Sequence, residues 1–212
     1  MAEQNPVARS YDQVAAEYTA QIADELAGKP LDRALLLAFA EQVGSSGPIA
    51  DIGCGPGHVA AFLAEAGAET IGFDLSAGMV GQARGRFPAL QFEQADMRAL
   101  PLPDAALGGV VAFYSIIHLA PGDILPAFRE WRRVLKPGGR VLVAFHIGDE
   151  VVHLDEWWEK DVALDFRFLQ LGAVAATLEE AGFAIEVRLR RAPYPGAEHP
   201  SQRGYVQARR SD

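Results

Sequence analysis

The chain has 212 residues, of which 50% are hydrophobic, enough for one domain with a sizeable core. A formal net charge of −9 without an obvious basic face argues against a nucleic-acid partner. One cysteine excludes an internal disulfide, and no basic-then-apolar leader or membrane-length apolar run is visible, so a cytoplasmic protein without a membrane partner is expected.

Asn5-Pro6 reads as a helix start. Val7, Tyr11, Val14, Ala15, Tyr18, Ile22 and Leu26 recur at helical spacing on one face. Gly28-Lys-Pro30 ends that pattern, and 31–43 reads as a second helix with Leu31, Ala34, Leu35 and Ala38 inward. A turn cluster at 44–48 leads into a short apolar strand ending near Asp51.

Gly53, Gly55 and Gly57 follow at alternate positions, then a helix-forming segment closed by Gly67. Strand, glycine turn and helix make the first half of a nucleotide-binding βαβ unit. Without Gly-Lys-Ser/Thr the turn is not a P-loop. A dinucleotide fingerprint would place its third glycine where His58 stands. A second strand at 69–73 ends on Asp74, an acid placed to bind the two hydroxyls of a ribose.

Ser76 suits the N-cap of a helix over 77–86. A third strand covers 90–94, with Asp96 beyond its tip. The continuous apolar run 107–113 predicts a parallel strand covered on both faces, ending at Tyr114 with His118 just beyond. A helix over 121–135 and a turn at 137–139 lead to a fifth strand at 140–145. The pattern then breaks: 146–167 holds His153, Trp157 and Trp158 with no clear period. A helix ending at Gly182, a strand over 183–191, a Pro/Gly loop and a last strand over 201–209 complete the chain, the last strand antiparallel to its neighbour. The arginines at 188, 190, 191, 209 and 210 read as solvated strand edges. Alternating strands and helices predict a doubly wound α/β sheet, whose ligands bind at the carboxyl ends of the strands, where Asp51, Asp74, Asp96 and Tyr114 all fall.

Four stretches in order resemble the class I S-adenosylmethionine-dependent methyltransferases of the small-molecule group. They are Asp51-Ile-Gly-Cys-Gly-Pro-Gly57, Gly72-Phe-Asp-Leu-Ser76, Gln94-Ala-Asp-Met97 and Leu135-Lys-Pro-Gly-Gly-Arg-Val-Leu-Val143. The resemblance implies a mostly parallel seven-stranded Rossmann-like methyltransferase fold with its last strand antiparallel, over a single domain spanning 1–212. It implies S-adenosylmethionine as cofactor, no metal, and a small-molecule acceptor methylated on oxygen, nitrogen or carbon. Its cofactor positions carry over to Asp51, Gly53, Cys54, Gly55, Gly57, Asp74, Leu75, Ser76, Met79, Asp96, Met97 and Tyr114. The family pattern Tyr-Asp-x-x-Ala-x-x-Tyr matches Tyr11 to Tyr18, implying that the helices within 1–45 fold over the cofactor, where an aromatic face favours a sulfonium. The same two tyrosines serve equally as amphipathic core residues.

His118 is the candidate base, since histidine moves protons near neutral pH; its alternative is a pocket-shaping residue at a helix start. His146 could face the same pocket. The insertion 146–167, with Trp157 and Trp158, is expected either to wall an acceptor pocket or to pack on the sheet edge. Cys54 reads as a small turn residue, and His153 and His199 lack metal-ligand spacing. A nicotinamide-dependent oxidoreductase and a non-catalytic S-adenosylmethionine-binding protein remain as other functions.

Overall fold

The computed structural model describes residues 5–196 and 198–211. The Asn5 side chain accepts the Val7 N–H at 2.9 Å and Pro6 follows, so α1 runs over Pro6–Ile22. A short turn of 3-10 helix, Glu25–Gly28, joins it to α2 (Pro30–Val43). The inward face of α2 differs from the expected one. Asp32, Leu36, Phe39 and Val43 are buried, while Ala34 and Ala38 are exposed. The face was hidden because it begins with a carboxylate: Asp32 is fully buried, paired with Arg191 at 2.7 Å and accepting the Tyr205 hydroxyl at 2.8 Å.

The central units are β1 (Ile49–Ile52), α3 (His58–Glu65), β2 (Thr70–Asp74), α4 (Ala77–Arg86), β3 (Gln91–Gln94), β4 (Leu107–Phe113), α5 (Pro121–Val134) and β5 (Leu135–Ile147). Next come β6 (Val151–Trp157), β7 (Lys160–Arg167), α6 (Leu171–Glu180), β8 (Phe183–Arg191) and β9 (Gln202–Arg210). Seven strands form one sheet in the order β3-β2-β1-β4-β5-β9-β8. β9 pairs antiparallel with both neighbours, and the other six strands are parallel, as the sequence predicts. Strand order reverses between β1 and β4, opening the crevice in which such sheets bind ligands. Phe128, Trp131 and Val134 of α5 bury one face of the sheet, and Leu36, Phe39 and Val43 of α2 bury the other. Among the described residues no helix is long and apolar enough to cross a membrane.

The stretch 146–167 is not irregular. β5 continues to Ile147, and β6 and β7 form a separate two-stranded hairpin. Two features mask it in the sequence. A register shift between Leu154 and Glu156 interrupts the alternation. The two-residue turn uses Trp158 and Glu159, both left-handed at φ 51° and 60°, where Asn-Gly is the usual signal. The hairpin lies on α1: the Ala163 N–H donates to Ser10 Oγ at 2.9 Å, and Val14 packs with Val162 and Leu164.

Candidate active site

The glycine turn after β1 is shaped by what crowds it. Gly53 has φ 71°, and a Cβ there would stand 2.3 Å from Cβ of Ser115. A Cβ on Gly57 would meet the Phe92 ring at 2.7 Å, so this glycine serves helix-on-sheet packing and lines neither cavity described below. Asp51 is buried beneath the turn and accepts the Ala60 N–H at 3.0 Å; burial, above all, raises its pKa to about 7. Asp74 closes the turn from β2. Its Oδ2 accepts the Gly55 N–H and its Oδ1 the Ser76 N–H, each at 2.8 Å. Burial outweighs those bonds and lifts its pKa to about 6.

A cavity of about 150 Å³ opens at these strand ends. Gly53, Gly55, Asp74, Leu75, Ser76, Met79, Asp96 and Met97 line it, with Tyr11, Tyr18, Tyr114 and His118. Asp96 is partly spoken for, because Arg98 donates to both its oxygens and holds its pKa down. A second cavity of about 490 Å³ adjoins the first. Asp51, Cys54, His58, His146, Leu154, Trp157, Phe166, Phe168 and Arg203 are among its walls. The two share Tyr11, Tyr18, Gly53, Gly55, Phe113 and Tyr114.

The shared wall is held rigidly. Tyr11 and Tyr18 meet edge to face with ring centres 5.5 Å apart, and Trp157 lies edge-on to both at 6.2 and 5.7 Å. Tyr114 takes a left-handed φ of 56°, with its N–H donating to the Ala144 carbonyl at 2.8 Å. His118 has both ring nitrogens engaged. Nδ1 lies 3.0 Å from the Asp165 carbonyl, which can only accept, so Nδ1 carries the hydrogen. Nε2 therefore accepts the Tyr11 hydroxyl, 2.8 Å away. Burial pushes the His118 pKa down to about 4, opposed by the Asp165 carbonyl, and the ring is neutral at pH 7.

Residues 49–139 match the family model described as a methyltransferase domain. The chain is 33% identical over 147 residues to a probable S-adenosylmethionine-dependent methyltransferase of Mycolicibacterium smegmatis, covering 65% of this chain and 52% of that one. It is 33% identical over 119 residues to a malonyl-[acyl-carrier protein] O-methyltransferase of Pseudescherichia vulneris, covering 56% and 45%. The chain thus spans about half the length of these relatives. Magnesium protoporphyrin IX methyltransferase of Synechocystis PCC 6803, solved with S-adenosylmethionine bound, shares the fold with a TM-score of 0.74 at 17% identity over the whole of both chains. Residues 49–139 thus match a methyltransferase domain, and the fold around them is the one that S-adenosylmethionine-dependent methyltransferases share.

Within that methyltransferase frame, the structure brings most of the sequence-derived positions to the two cavities. Trp158 is an exception: it stacks on Trp157 at 4.5 Å and 12° and backs that ring without lining either cavity. His153 sits out on the hairpin between Asp155 and Asp165. Arg191 corrects the solvated-edge reading. Its side chain is 9% exposed and pairs with Asp32 and Glu198. Glu25, Lys29, His58, Glu198, His199 and Arg203 line the larger cavity and were not singled out as site residues. Their partners lie far along the chain, as with His58 to Glu25 at 3.1 Å across 33 residues, so no local spacing marks them. Against the burial that would raise it, hydrogen bonds from His58 and Lys29 hold the Glu25 pKa at about 2. Among the described residues no group of three or more His, Cys, Asp or Glu could hold a metal ion.

Proposed function

We propose that this protein transfers a methyl group from S-adenosylmethionine to a small-molecule acceptor. The observation that carries the reading is the pair of adjoining cavities with one tyrosine-rich wall in common. The smaller cavity fits an adenosine. The glycine turn leaves open backbone at Gly53 and Gly55, and the Asp74 carboxylate keeps a lone pair on each oxygen for the ribose hydroxyls. Leu75, Met79 and Met97 offer apolar surface for a purine, with Asp96 at the rim. The methionine end suits the wall of Gly53, Gly55 and Tyr18, beside His58, whose Nδ1 is buried without a hydrogen-bond partner. When bound, S-adenosylmethionine supplies an electrophilic methyl group on a good leaving group.

The chain's own task is then chiefly placement. The rings of Tyr11 and Tyr18 line both cavities where positive charge would sit, and an aromatic face there favours it. The larger cavity holds the acceptor in line, with α1 and the β6–β7 hairpin excluding water from above. A protic acceptor hydrogen-bonded to the Tyr11 oxygen can release its proton there while the Tyr11 proton moves to Nε2 of His118. His118 is thus a base that acts through Tyr11, and the helices of 1–45 and the hairpin of 146–167 complete one site within a single domain. The Pseudescherichia relative is named as an O-methyltransferase of malonyl-[acyl-carrier protein], which agrees with an oxygen acceptor.

Calorimetry tests the reading. S-adenosylhomocysteine should bind, and NAD and NADP should show no comparable binding. A radiolabelled methyl donor with an acceptor library then reports transfer. Tight NAD binding together with silence toward S-adenosylhomocysteine would overturn it in favour of an oxidoreductase.

A further inference from the structure

In the larger cavity, two strands removed from β1 and against Tyr114, His146 of β5 stands opposite Arg203 of β9. The Arg203 side chain is 3% exposed. Its Nη1 donates to the carbonyl and hydroxyl oxygens of Ser201, each at 2.6 Å, and its Nη2 to the His199 carbonyl at 3.1 Å. None of these partners carries a charge. Its Nε–H has no hydrogen-bond partner, and the nearest carboxylate oxygen, on Glu198, is 3.6 Å away. That carboxylate is already engaged. Arg191 donates to both its oxygens, at 2.6 and 2.8 Å, and the Tyr194 N–H adds a third bond at 2.7 Å. Lys29, the other cation on this end of the cavity, has Glu25 at 2.6 Å. Arg203 is therefore a buried guanidinium whose one ion-pair partner, Glu198, stands beyond hydrogen-bond distance and is shared with Arg191, which leaves its Nε–H without an acceptor.

A second donor points to the same chemistry. Ser201 Oγ accepts from Arg203 and lies 2.8 Å from Nδ1 of His146; we assign its hydrogen to Nδ1. Nε2 of His146 then carries the ring hydrogen and is free to donate. Burial first, and then the charges of Arg203, His199 and Lys29, push the His146 pKa down to about 3, so the ring stays neutral. Phe168 stacks on that ring at 5.2 Å and 19°, and the wall continues through Phe166 and Leu154 to Trp157. The donors lie beside Tyr114, whose ring is 5.2 Å from that of His146 and 5.7 Å from the Arg203 guanidinium, and the apolar surface runs from Phe168 through Phe166 to Trp157, which meets Tyr11 and Tyr18.

We propose that the methyl acceptor is an organic acid with a flat or chain-like apolar body. Arg203 and His146 bind its carboxylate, and Phe168, Phe166, Leu154 and Trp157 cover its body. The planar guanidinium suits a planar carboxylate, and the carboxylate is the handle that sets the acceptor's register against the tyrosine wall. This rests on the methyltransferase reading of the same site. The cofactor's own methionine carboxylate is a second source of the same chemistry, and the experiment separates the two.

The test uses the full chain. Calorimetry first measures its affinity for S-adenosylhomocysteine. The saturated protein is then titrated with 2-naphthoate and octanoate and with their neutral amides, followed by tryptophan emission, because Trp157 lies on the cavity wall. At least one acid should bind about tenfold or more tightly than its amide. Arg203→Gln should remove most of that preference while leaving the S-adenosylhomocysteine affinity within about twofold. His146→Phe keeps a ring against Phe168 and deletes the donor, so it reports even if the arginine variant does not fold; it should weaken the acid about fivefold and the amide little. An acid-to-amide ratio near one, or no binding by any of the four probes to protein that holds S-adenosylhomocysteine, overturns the proposal. So does a loss of S-adenosylhomocysteine affinity in a folded Arg203→Gln, which would give the arginine to the cofactor. Failure of the wild type to bind S-adenosylhomocysteine would strike the methyltransferase reading itself.

Discussion

The Tyr11 hydroxyl stands 2.8 Å from Nε2 of His118, and the hairpin backbone at Asp165 fixes which nitrogen receives it. The two residues are 107 positions apart, so α1, the segment after β4 and β7 must all be in place to assemble the pair. A base with a pKa near 4 is deprotonated throughout the neutral range. For an acceptor that must lose a proton, turnover should therefore hold from about pH 8 down to about pH 5 and fall only as His118 becomes protonated. His118→Asn should lower turnover about a hundredfold, and Tyr11→Phe should do the same with its ring still in place. Both should leave S-adenosylhomocysteine affinity near wild type in calorimetry. Normal turnover in both folded variants would remove the pair from the proton path.

Asp74 makes a separate prediction about cofactor binding. Its ionised form accepts hydrogen bonds, and its pKa in the free protein is raised to about 6. Ribose hydroxyls that donate to it bind the ionised form, so ligand binding should lower that pKa. S-adenosylhomocysteine affinity should be flat above about pH 7 and weaken as pH falls through about 6 and below. Asp74→Ala should cost about 1–3 kcal/mol of binding and flatten the profile. Calorimetry between pH 5 and 8 reads both, and an unchanged profile in the variant would exclude Asp74 as the titrating group.

The sequence is legible where chemistry is local. The Asp51–Gly57 turn, Asp74 after β2 and the Ser76 cap each declare themselves within a few residues, and the structure brings Asp74 back to Gly55 by a 2.8 Å bond. Alternation of strands and helices declares a doubly wound sheet, and the seven-stranded form with its last strand antiparallel follows from the family resemblance, while the order itself comes from the structure. What was hidden depends on distant partners. Asp32 looks like a solvent-facing residue until Arg191, 159 positions later, neutralises it. Arg203 carries no local signal, and only the β5–β9 register sets it opposite His146. The hairpin was hidden for a local reason, because its turn uses Trp and Glu in conformations that glycine or asparagine usually signal.

The Asp32–Arg191–Glu198 cluster predicts the largest stability effects. Arg191 bridges both carboxylates at 2.6–2.8 Å, and Asp32 is fully buried. Arg191→Met leaves the buried Asp32 without its cation and Glu198 with only the longer contacts to Arg203 and Lys29, and should destabilise the fold by about 3–5 kcal/mol in urea denaturation. Pairing it with Asp32→Leu should recover part of that loss, since the buried charge is then gone. A loss in the double variant equal to the sum of the Arg191→Met and Asp32→Leu losses would mean that the two residues are not coupled.

The hairpin tip separates stability from acceptor binding. Trp158 and Glu159 hold left-handed conformations at φ 51° and 60° that cost non-glycine residues energy. Glu159 is exposed, so Glu159→Gly should relieve strain at little contact cost and stabilise the protein by about 0.5–1 kcal/mol. Trp158 stacks on Trp157, and Trp157 lies on the wall of the larger cavity. Trp157→Ala should then raise the Michaelis constant for the acceptor about tenfold by opening that wall, and Trp158→Ala by less, because it acts only through its neighbour. Neither should move S-adenosylhomocysteine affinity by more than about twofold, since neither ring lines the smaller cavity. The informative measurement is the pair of constants in each variant. A loss confined to the cofactor would mean that the hairpin serves the adenosine side. A rise in the acceptor constant alone, in the order Trp157 then Trp158, would assign the hairpin to the acceptor.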